Sequence, residues 1–445
     1  MIKLDSRFSI LSVIKIMADY QTTTRLPHVA SSFIYDTTNT YWRPILDTDF
    51  GGGQGGKDAF GRLRTSDPEM IFNSKQVFDN QPLYFDDIQE SGSGTSSTHS
   101  TNTASSILSV SLNTAGKRTR QTFMRFNYQP SKSQLIFITG ILKKTGGGAG
   151  IISRLGLFDD DNGLFLENNA GTINLVRRTK TSGSAYDNTY PQSSWNIDKL
   201  DGTGPSGITI DFTKTQIFCV DFEWLGVGAI RFGFNIDGVT RYVHQVNNAN
   251  NLTNVYMSTP NLPIRYQIIN DGTGVASSIE CICSAVISEG GREQVATNGY
   301  VSTNGTSVEA TKFYNNGILA CRLKTGYLGA TIDILDVSLI TTSNDNYEWK
   351  LYLNPSGLGA LNYSGVTNSC LEYAIVPSER HISGGYVIAG GYAQAKTDIQ
   401  AESLKSLLKL GCSITGLRDQ LVLACYPLGA SNSVVYGGLN YREFN

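Results

Sequence analysis

The chain has 445 residues, enough for about two or three domains that each bury a core of their own. Its 46 glycines, 22 tyrosines and 19 phenylalanines, with only 17% charged residues, are typical of β-strands joined by many turns and disfavour a mainly helical fold. The formal net charge of −2 excludes the general attraction to phosphates on which nucleic-acid-binding proteins rely, and no apolar run is long enough to cross a membrane.

Residues 1–104 are predicted to form an extended N-terminal arm. Residues 1–16 imitate a signal peptide, but Lys15 interrupts the apolar stretch and no small-residue cleavage site follows, so a start at Met17 is an alternative. The hexapeptide GGGQGG at 51–56 indicates a flexible hinge, and the Ser/Thr/Gly-rich residues 91–106 indicate a loop.

The arm carries the side chains that we expect to attach the chain to another protein. They lie in a stretch with neither a helical nor a strand period, which cannot bury enough apolar area alone and should become ordered against a partner. A chain beginning near Ser105 is therefore expected to fold but not to assemble. The predicted attachment residues are Phe60, Arg62, Leu63, Arg64 and Phe72.

Residues 105–291 are predicted to form a middle β-sandwich or jelly roll. Short apolar segments follow one another with turn signals between them and no helical period, which indicates two packed antiparallel sheets. The predicted strands are 107–112, 119–128, 134–142, 151–158, 164–167, 172–178, 218–224, 230–236, the segment from 239 onward, 263–270 and 278–288.

The meander at 195–246 has the clearest pattern of the chain. Every second residue of 218–224 and of 230–236 is bulky and apolar, which is a strand period. Asp237-Gly238 then joins two strands by the two-residue turn of a tight hairpin, because the glycine tolerates the positive φ of a type I′ turn.

The register of this meander predicts a polar row on the face turned away from the core. Counting from the turns places both Asp221 and His244 opposite Arg231, with Tyr242 over the strand glycine Gly233. Asp221, Arg231, Tyr242 and His244 are a possible ligand face. The plainer alternative, which we favour, is a solvated row of structural pairs.

Residues 292–310 are predicted to be a polar linker, and residues 311–445 a second, C-terminal β-sandwich. A single helix is predicted at 398–410, where Thr397 supplies an N-cap and Gly411 ends the helix. The predicted strands are 318–323, 331–340, 347–353, 370–376, 386–389, 420–426 and 434–442.

The cysteines and acidic residues predict no cofactor. Seven cysteines, an odd number scattered through apolar segments, indicate buried free thiols and assembly in a reducing cytosol. Asp159 and Asp161 precede Gly163 as in a calcium loop, but no Glu stands where it would complete such a loop. A hairpin turn is therefore favoured over a weak Ca²⁺ site.

Candidate catalytic groups are present but incomplete. Asp221 and Glu223 put two carboxylates on one strand face, as in jelly-roll glycosidases, but the third acidic residue of that pattern is absent. No Ser or Cys stands in a nucleophile-like turn in which His244 could act as its general base. The sequence thus predicts no enzymatic activity. The aromatic residues that could line a sugar-binding surface, or else pack in the core, are Tyr190, Trp195, Trp224 and Trp349.

A set of motifs extends from the arm through the middle domain. They are KDAFGRLRTSDPEMIF (57–72), RFNYQPSKSQ (125–134), RLGLFDDDNGLF (154–165), WNIDKLDGTGPSGITIDF (195–212), DFEWLGVG (221–228), MSTPNLPIRY (257–266) and ISEGG (287–291). Together they resemble virion structural proteins, of the fibre or decoration type, from tailed phages and large DNA viruses that carry a DAFGRLR motif. The chain departs from the family pattern at Ser131, where Gly is expected, and at Ala229, where Arg is expected.

The resemblance implies a structural protein of a virus particle that is assembled in the host cytoplasm. It would be a surface fibre or capsid-decoration subunit attached through its N-terminal arm. The expected partners are other virion proteins and further copies of the chain, with a homotrimer favoured. The alternative function is host attachment through a surface glycan, and a polysaccharide-cleaving enzyme is the less favoured alternative.

Overall fold

The computed structural model describes residues 68–290, 296–342, 344–394, 409–429 and 431–444, and the backbone of 33–36 and 41–44. The chain divides into two compact units, Met1–Gly56 and Lys57–Asn445. In the first unit, β1 (Phe33–Asp36) pairs with β2 (Tyr41–Pro44) in an antiparallel hairpin. Regular structure in the described ranges consists of β-strands and two short 3₁₀ turns, Gln192–Ser194 and Thr325–Tyr327, so the all-β prediction is confirmed.

The N-terminal part of the second unit is a sandwich of a seven-stranded and an eight-stranded antiparallel sheet. Its strands are β3 (Pro68–Lys75), β4 (Phe85–Gly92), β5 (Thr95–Ser100), β6 (Ser105–Val110), β7 (Gly116–Thr122), β8 (Gln134–Thr145), β9 (Ile151–Phe158), β10 (Gly163–Asn169), β11 (Thr172–Thr179), β12 (Tyr186–Pro191), β13 (Gln216–Phe222), β14 (Ile230–Ile236), β15 (Val239–Val246), β16 (Ile264–Asn270) and β17 (Ser277–Glu289). The seven-stranded sheet has the order β12-β11-β10-β9-β16-β7-β4. The eight-stranded sheet has the order β15-β14-β13-β8-β17-β6-β5, and β3 also pairs with β17.

Alternation along the strands produces the core between these two sheets. Leu155 and Leu157 of β9 belong to one buried cluster with Val220 of β13 and with Phe232 and Phe234 of β14, so the apolar faces of the two sheets are packed together. Because successive side chains of a strand point to opposite faces, the residues between them lie on the outer faces of the sandwich. The candidate site described below lies on one of these outer faces.

The predicted arm needs correction from residue 68 onward. β3 pairs with β17, and Phe72 and Phe85 are buried in the core of the sandwich, so this part of the arm belongs to the sheets. The predicted loop at 91–106 contains β5 and the start of β6, which pair with each other. β5 was missed because it lies at the edge of its sheet, where partly exposed Ser and Thr side chains leave no apolar alternation to detect.

The register predicted for the meander is correct up to a β-bulge. Asp221 lies opposite Arg231 and Gly233 opposite Tyr242, as expected. The register then shifts between Phe232 and Gly233, so that His244 lies opposite Phe232 and not opposite Arg231. A bulge adds one residue to one strand, which a count from the turn does not include.

The C-terminal part of the second unit has a four-stranded and a six-stranded sheet. The strands are β18 (Thr297–Ser302), β19 (Val308–Ala310), β20 (Asn316–Leu323), β21 (Thr331–Thr341), β22 (Tyr347–Leu353), β23 (Ser364–Gly365), β24 (Leu371–Ile375), β25 (Tyr386–Ala393), β26 (Leu421–Pro427) and β27 (Ser433–Phe444). The first sheet has the order β18-β27-β19 with β21 on β27, and the second has the order β23-β24-β20-β26-β22-β25. Their facing sides share a buried apolar cluster, as a sandwich requires.

Two predictions for the C-terminal part are affected. The predicted linker at 292–310 supplies β18 and β19, whose polar residues alternate with the buried Val301 and Val308. The predicted helix at 398–410 lies outside the described residues except for its last two positions, which are not helical. Gly411 instead allows a close approach to the first sandwich, since a Cβ there would lie 2.1 Å from the carbonyl oxygen of Phe123.

The seven cysteines are free thiols, six of them buried and Cys283 partly exposed, as the sequence predicts. Burial raises the pKa of the Cys321 and Cys425 thiols to about 12, which leaves them protonated and unreactive near neutral pH. In the residues that the structure describes, no helix combines the length and apolar character needed to span a membrane.

Candidate functional site

The outer face of the seven-stranded sheet carries a layer of ordered polar side chains. On β9 and β16, Leu155 and Tyr266 belong to the core, so the alternate residues point away from it. These and the matching positions on neighbouring strands form what we call the polar face. It comprises Thr119 and Gln121 of β7, Arg154 of β9, Glu167 of β10, and Arg265 and Gln267 of β16.

One row of the polar face is a continuous chain of hydrogen bonds across the strands. Arg154 donates from Nη1 to Gln267 Oε1 (3.0 Å) and from Nε to Glu167 Oε2 (2.8 Å). Gln267 Nε2 donates to Thr119 Oγ1 (3.1 Å), whose hydroxyl donates to Glu90 at 2.7 Å. On the other side, Asn174 Nδ2 donates to Glu167 Oε1 at 3.3 Å. These partners lie directly opposite one another from β7 to β11, because the sheet order places β16 between β7 and β9.

A second row combines guanidinium groups with aromatic rings. Arg265 donates from Nε to Gln121 Oε1 (2.7 Å) and from Nη1 to Asp160 Oδ1 (2.6 Å). Its guanidinium carbon lies 5.5 Å from the ring centroid of Phe158, which packs at 4.5 Å against Phe165. Both rings are fully buried although they lie outside the main core. The guanidinium groups of Arg154 and Arg178 pack over the ring of Phe165 in the same way, at 5.6 and 5.2 Å from its centroid.

A glycine makes this second row possible. Gly156 lies opposite both Arg265 and Phe165, and a Cβ at this position would lie 2.4 Å from the Cβ of Phe165. Any side chain there would displace the Phe165 ring and the guanidinium groups around it.

The charges of the polar face are compensated within it. Partial burial raises the pKa of the Asp160 carboxyl, but the neighbouring Arg265 lowers it, and the pKa lies below its usual value. Glu167 likewise balances Arg154 at 2.8 Å. The face thus offers fixed hydrogen-bonding groups without a net field for a polyanion.

Three donor nitrogens of the face remain unused by the protein. Within the described residues, Gln121 Nε2 and the Nη2 atoms of Arg154 and Arg265 have no hydrogen-bond partner, while the other end of each side chain is held by a neighbour. They lie on the adjacent strands β7, β9 and β16, and so span about 10 Å across the sheet. Gln121 and Arg265 are only 1% and 2% exposed, so the groups that a ligand with several hydroxyl groups can reach are the partly exposed guanidinium of Arg154 and the exposed carboxylate of Asp160.

The predicted ligand face of Asp221, Arg231, Tyr242 and His244 is corrected by the structure, because it is not solvated. Asp221 is fully buried, accepts hydrogen bonds from Ser133 and from Tyr242 Oη (2.7 Å), and pairs with Arg231. Arg231 in turn lies 4.5 Å from the ring centroid of Tyr242. These three residues form a structural network in the eight-stranded sheet.

His244 is not part of that network. Its ring packs at 4.6 Å against Tyr190, and Nδ1 accepts a hydrogen bond from the backbone N–H of Asn196 at 3.2 Å. Burial lowers the pKa of His244 to about 4, so the imidazole is neutral at pH 7. Neither Asp221 nor a nucleophile stands beside it as a catalytic partner would.

The carboxylates proposed for catalysis and for calcium are engaged by protein groups. Glu223 is buried and accepts a hydrogen bond from Tyr128 Oη at 3.2 Å. Asp159 Oδ1 accepts from the backbone N–H groups of Asp161 and Asn162 at 2.9 Å, and Asp161 pairs with Lys180. This is the geometry of the predicted turn. No cluster of three or more potential metal-ligating side chains occurs in the described ranges.

The remaining predicted site residues lie elsewhere. Phe72 is a core residue, packed at 5.0 Å against Phe126, and is unavailable for attachment. Trp195 and Trp349 are also buried. The predicted attachment residues Phe60, Arg62, Leu63 and Arg64, with the glycine hinge at 51–56, lie outside the described residues.

Comparisons with known proteins add no family. No family model matches the chain, and no curated protein matches it. Similar solved structures include an endo-1,3-beta-glucanase from Streptomyces sioyaensis (12% identity, 50% of this chain, 97% of the other, TM-score 0.32). They also include the carbohydrate recognition domain of Emp47p (10%, 50%, 97%, 0.32) and the CBM2 module of an evolved Dit protein of Lactobacillus casei BL23 phage J-1 (8%, 51%, 98%, 0.33). These neighbours are β-sandwich domains, described as carbohydrate-binding or carbohydrate-cleaving, and each aligns with about half of this chain.

Proposed function

We propose that the chain is a non-enzymatic glycan-binding protein that holds its ligand on the polar face. The observation that carries the proposal is the partly exposed guanidinium of Arg154, which Glu167 and Gln267 hold from the strands on either side and whose Nη2 is unused within the described residues, on the same face as the exposed carboxylate of Asp160. Anchored groups lose little side-chain entropy when they bind, so their hydrogen bonds are not offset by an ordering cost. Because each arginine already has a carboxylate partner, the face suits an uncharged polyhydroxyl ligand better than a phosphate chain.

A single charge-conserving substitution tests the proposal. Arg154→Lys keeps the positive charge beside Glu167 but removes the unused Nη2 donor. We expect glycans identified on an array to bind about tenfold more weakly to this variant in titration calorimetry, the effect of one net hydrogen bond.

The matched control is Arg241→Lys on β15, which makes the same exchange on the other sheet and should leave binding unchanged. Equal affinities of the wild type and Arg154→Lys, or no glycan binding by the wild type, would contradict the proposal.

We further propose that the glycan-binding protein is a structural component of a virus particle. The support for this setting is the resemblance of the motifs in residues 57–291 to virion proteins of tailed phages and large DNA viruses. Attachment is assigned to residues before Pro68, since β3 and Phe72 are part of the sandwich. Antibody-labelled particles viewed by electron microscopy test the location, and light scattering tests the homotrimer.

The proposal also predicts that the chain has no enzymatic activity. Asp221 and Glu223, the only pair that suggested a glycosidase in the sequence, are both buried and held by protein donors. Incubation with a polysaccharide panel should release no reducing sugar. Release that is lost in Glu223→Gln would assign an enzyme instead.

A further inference from the structure

A cavity of about 150 Å³ lies between the end of β11 and the segment 252–256. Three threonine hydroxyls and an asparagine amide line it together with apolar groups and the guanidinium of Arg177. The lining residues other than Arg177 are Thr179, Thr181, Leu252, Thr253, Asn254, Val255 and Tyr256. The volume is close to that of cavities that hold one six-membered ring.

Arg177 is the distinctive group of this cavity. The residue is 7% exposed, and it continues the core-facing side of β11 after Ile173 and Leu175. Its Nη1 donates to Asn248 Oδ1 at 2.6 Å, while its Nε has no hydrogen-bond partner within the described residues. No carboxylate among those residues pairs with it. Arg177 is therefore a buried cation held by a neutral amide.

The local fold holds this cation in place. Asn248, which accepts from Arg177, donates from Nδ2 to the carbonyl oxygen of Gly228 at 2.6 Å. Tyr256, another wall of the cavity, is fully buried and donates from Oη to the carbonyl oxygen of Glu223 at 3.0 Å. A buried charge without a counter-ion is costly, and an anion entering the cavity would remove that cost.

We propose that this cavity is an oxyanion-binding site that takes the carboxylate or sulfate of one acidic sugar residue. The guanidinium matches a planar carboxylate or a sulfate edge. Threonine hydroxyls and the Asn254 amide suit the ring hydroxyls, and Leu252, Val255 and Tyr256 suit the apolar face of a sugar ring. The sugar part of this assignment rests on the proposed glycan-binding function, whereas the oxyanion part rests on Arg177 alone.

Titrations of the full-length chain with glucuronic acid, glucose 6-sulfate, glucose and inorganic sulfate test the site. We expect one or both of the acidic sugars to bind, and glucose to bind about tenfold to hundredfold more weakly, because a charge-assisted contact is lost. Arg177→Met should abolish this preference. The control is Arg178→Met, which changes the next residue on the opposite face of β11, where Arg178 pairs with Asp187 at 2.8 Å.

A second variant keeps the test decisive if Arg177→Met does not fold. Thr253→Phe replaces an exposed lining residue by a ring that fills the cavity and leaves Arg177 in place, so it should block the acidic sugars without unfolding the chain. Unchanged binding of both acidic sugars in Thr253→Phe would overturn the site.

The outcomes separate this proposal from the previous one. Equal affinity for glucose and the acidic sugars would overturn the cavity site but leave the polar face untouched. Inorganic sulfate binding as tightly as glucose 6-sulfate would overturn the sugar assignment. If the acidic sugars no longer bind to Arg177→Met but still bind to Arg154→Lys, the result supports the cavity even if no glycan binds the polar face.

Discussion

Two Asp–Arg pairs of the first sandwich join neighbouring antiparallel strands in the same way but differ in burial. The side chains of Asp221 and Arg231 are 0% and 4% exposed, whereas those of Asp187 and Arg178 are 31% and 12% exposed. Replacing either Asp by Asn keeps the shape and removes the charge. Breaking a buried pair leaves an uncompensated buried charge and costs about 3–5 kcal/mol, whereas an exposed pair contributes about 0.2–1 kcal/mol.

We therefore expect Asp221→Asn to lower the free energy of unfolding by about 3–5 kcal/mol, because Arg231 loses the carboxylate beside it in a site closed to water. Asp187→Asn should cost less than about 1 kcal/mol. Urea titrations at pH 7, followed by tryptophan fluorescence, to which the buried Trp195 of the same sandwich contributes, measure both changes. Losses that agree within about 1 kcal/mol would refute the argument that burial decides the contribution of these pairs.

Three further predictions concern stability. Phe232→Ala and Phe234→Ala should each lower the free energy of unfolding by about 3–5 kcal/mol in urea titrations. The loss should be larger for Phe234, because its ring contacts three aromatic rings and the ring of Phe232 contacts one. A larger loss for Phe232 would contradict this packing. A chain beginning at Ser105 lacks three strands of the first sandwich and should give the circular dichroism of an unfolded sandwich; a native spectrum would support the original prediction that residues 1–104 are a separate arm. Since the pKa of His244 is about 4 when folded and 6.5 by reference, stability should fall as pH decreases from about 6.5 to 4, and His244→Gln should reduce that fall.

Local patterning was enough to predict most strands. The predicted segments 151–158 and 347–353 coincide with β9 and β22, because apolar residues there alternate and turn residues bound them. Patterning failed where a strand is solvated, as in β5, and where apolar residues follow an irregular order, as before Phe72. There the missing information was the partner strand, since β3 is fixed by pairing with β17, more than 200 residues later.

The burial of the Asp221 row could not be predicted from the sequence of its hairpin either. Register calculation brought Asp221 and Arg231 together correctly, because it depends only on the residues between two strands. Whether the outer face of those strands meets water depends on the rest of the chain. Arg177 did leave a local signal: it continues the apolar side of a predicted strand after Ile173 and Leu175, and a charge at a core-facing position is a candidate site.

The polar face could not be predicted from the sequence, because its residues become neighbours only when the strands pair in the sheet. Gln267 and Thr119 are 148 residues apart, and Arg154 is 113 residues from Gln267, yet they form consecutive links of one hydrogen-bond chain. Each is, on its own strand, an ordinary polar residue on an outward face. β16 creates the row by pairing between β7 and β9, and this insertion also places Arg265 beside Gln121. A ligand on Arg154 and Asp160 therefore contacts groups that Gln267 and Arg265 of β16 hold in place, so substitutions that remove these two side chains of β16 should weaken its binding.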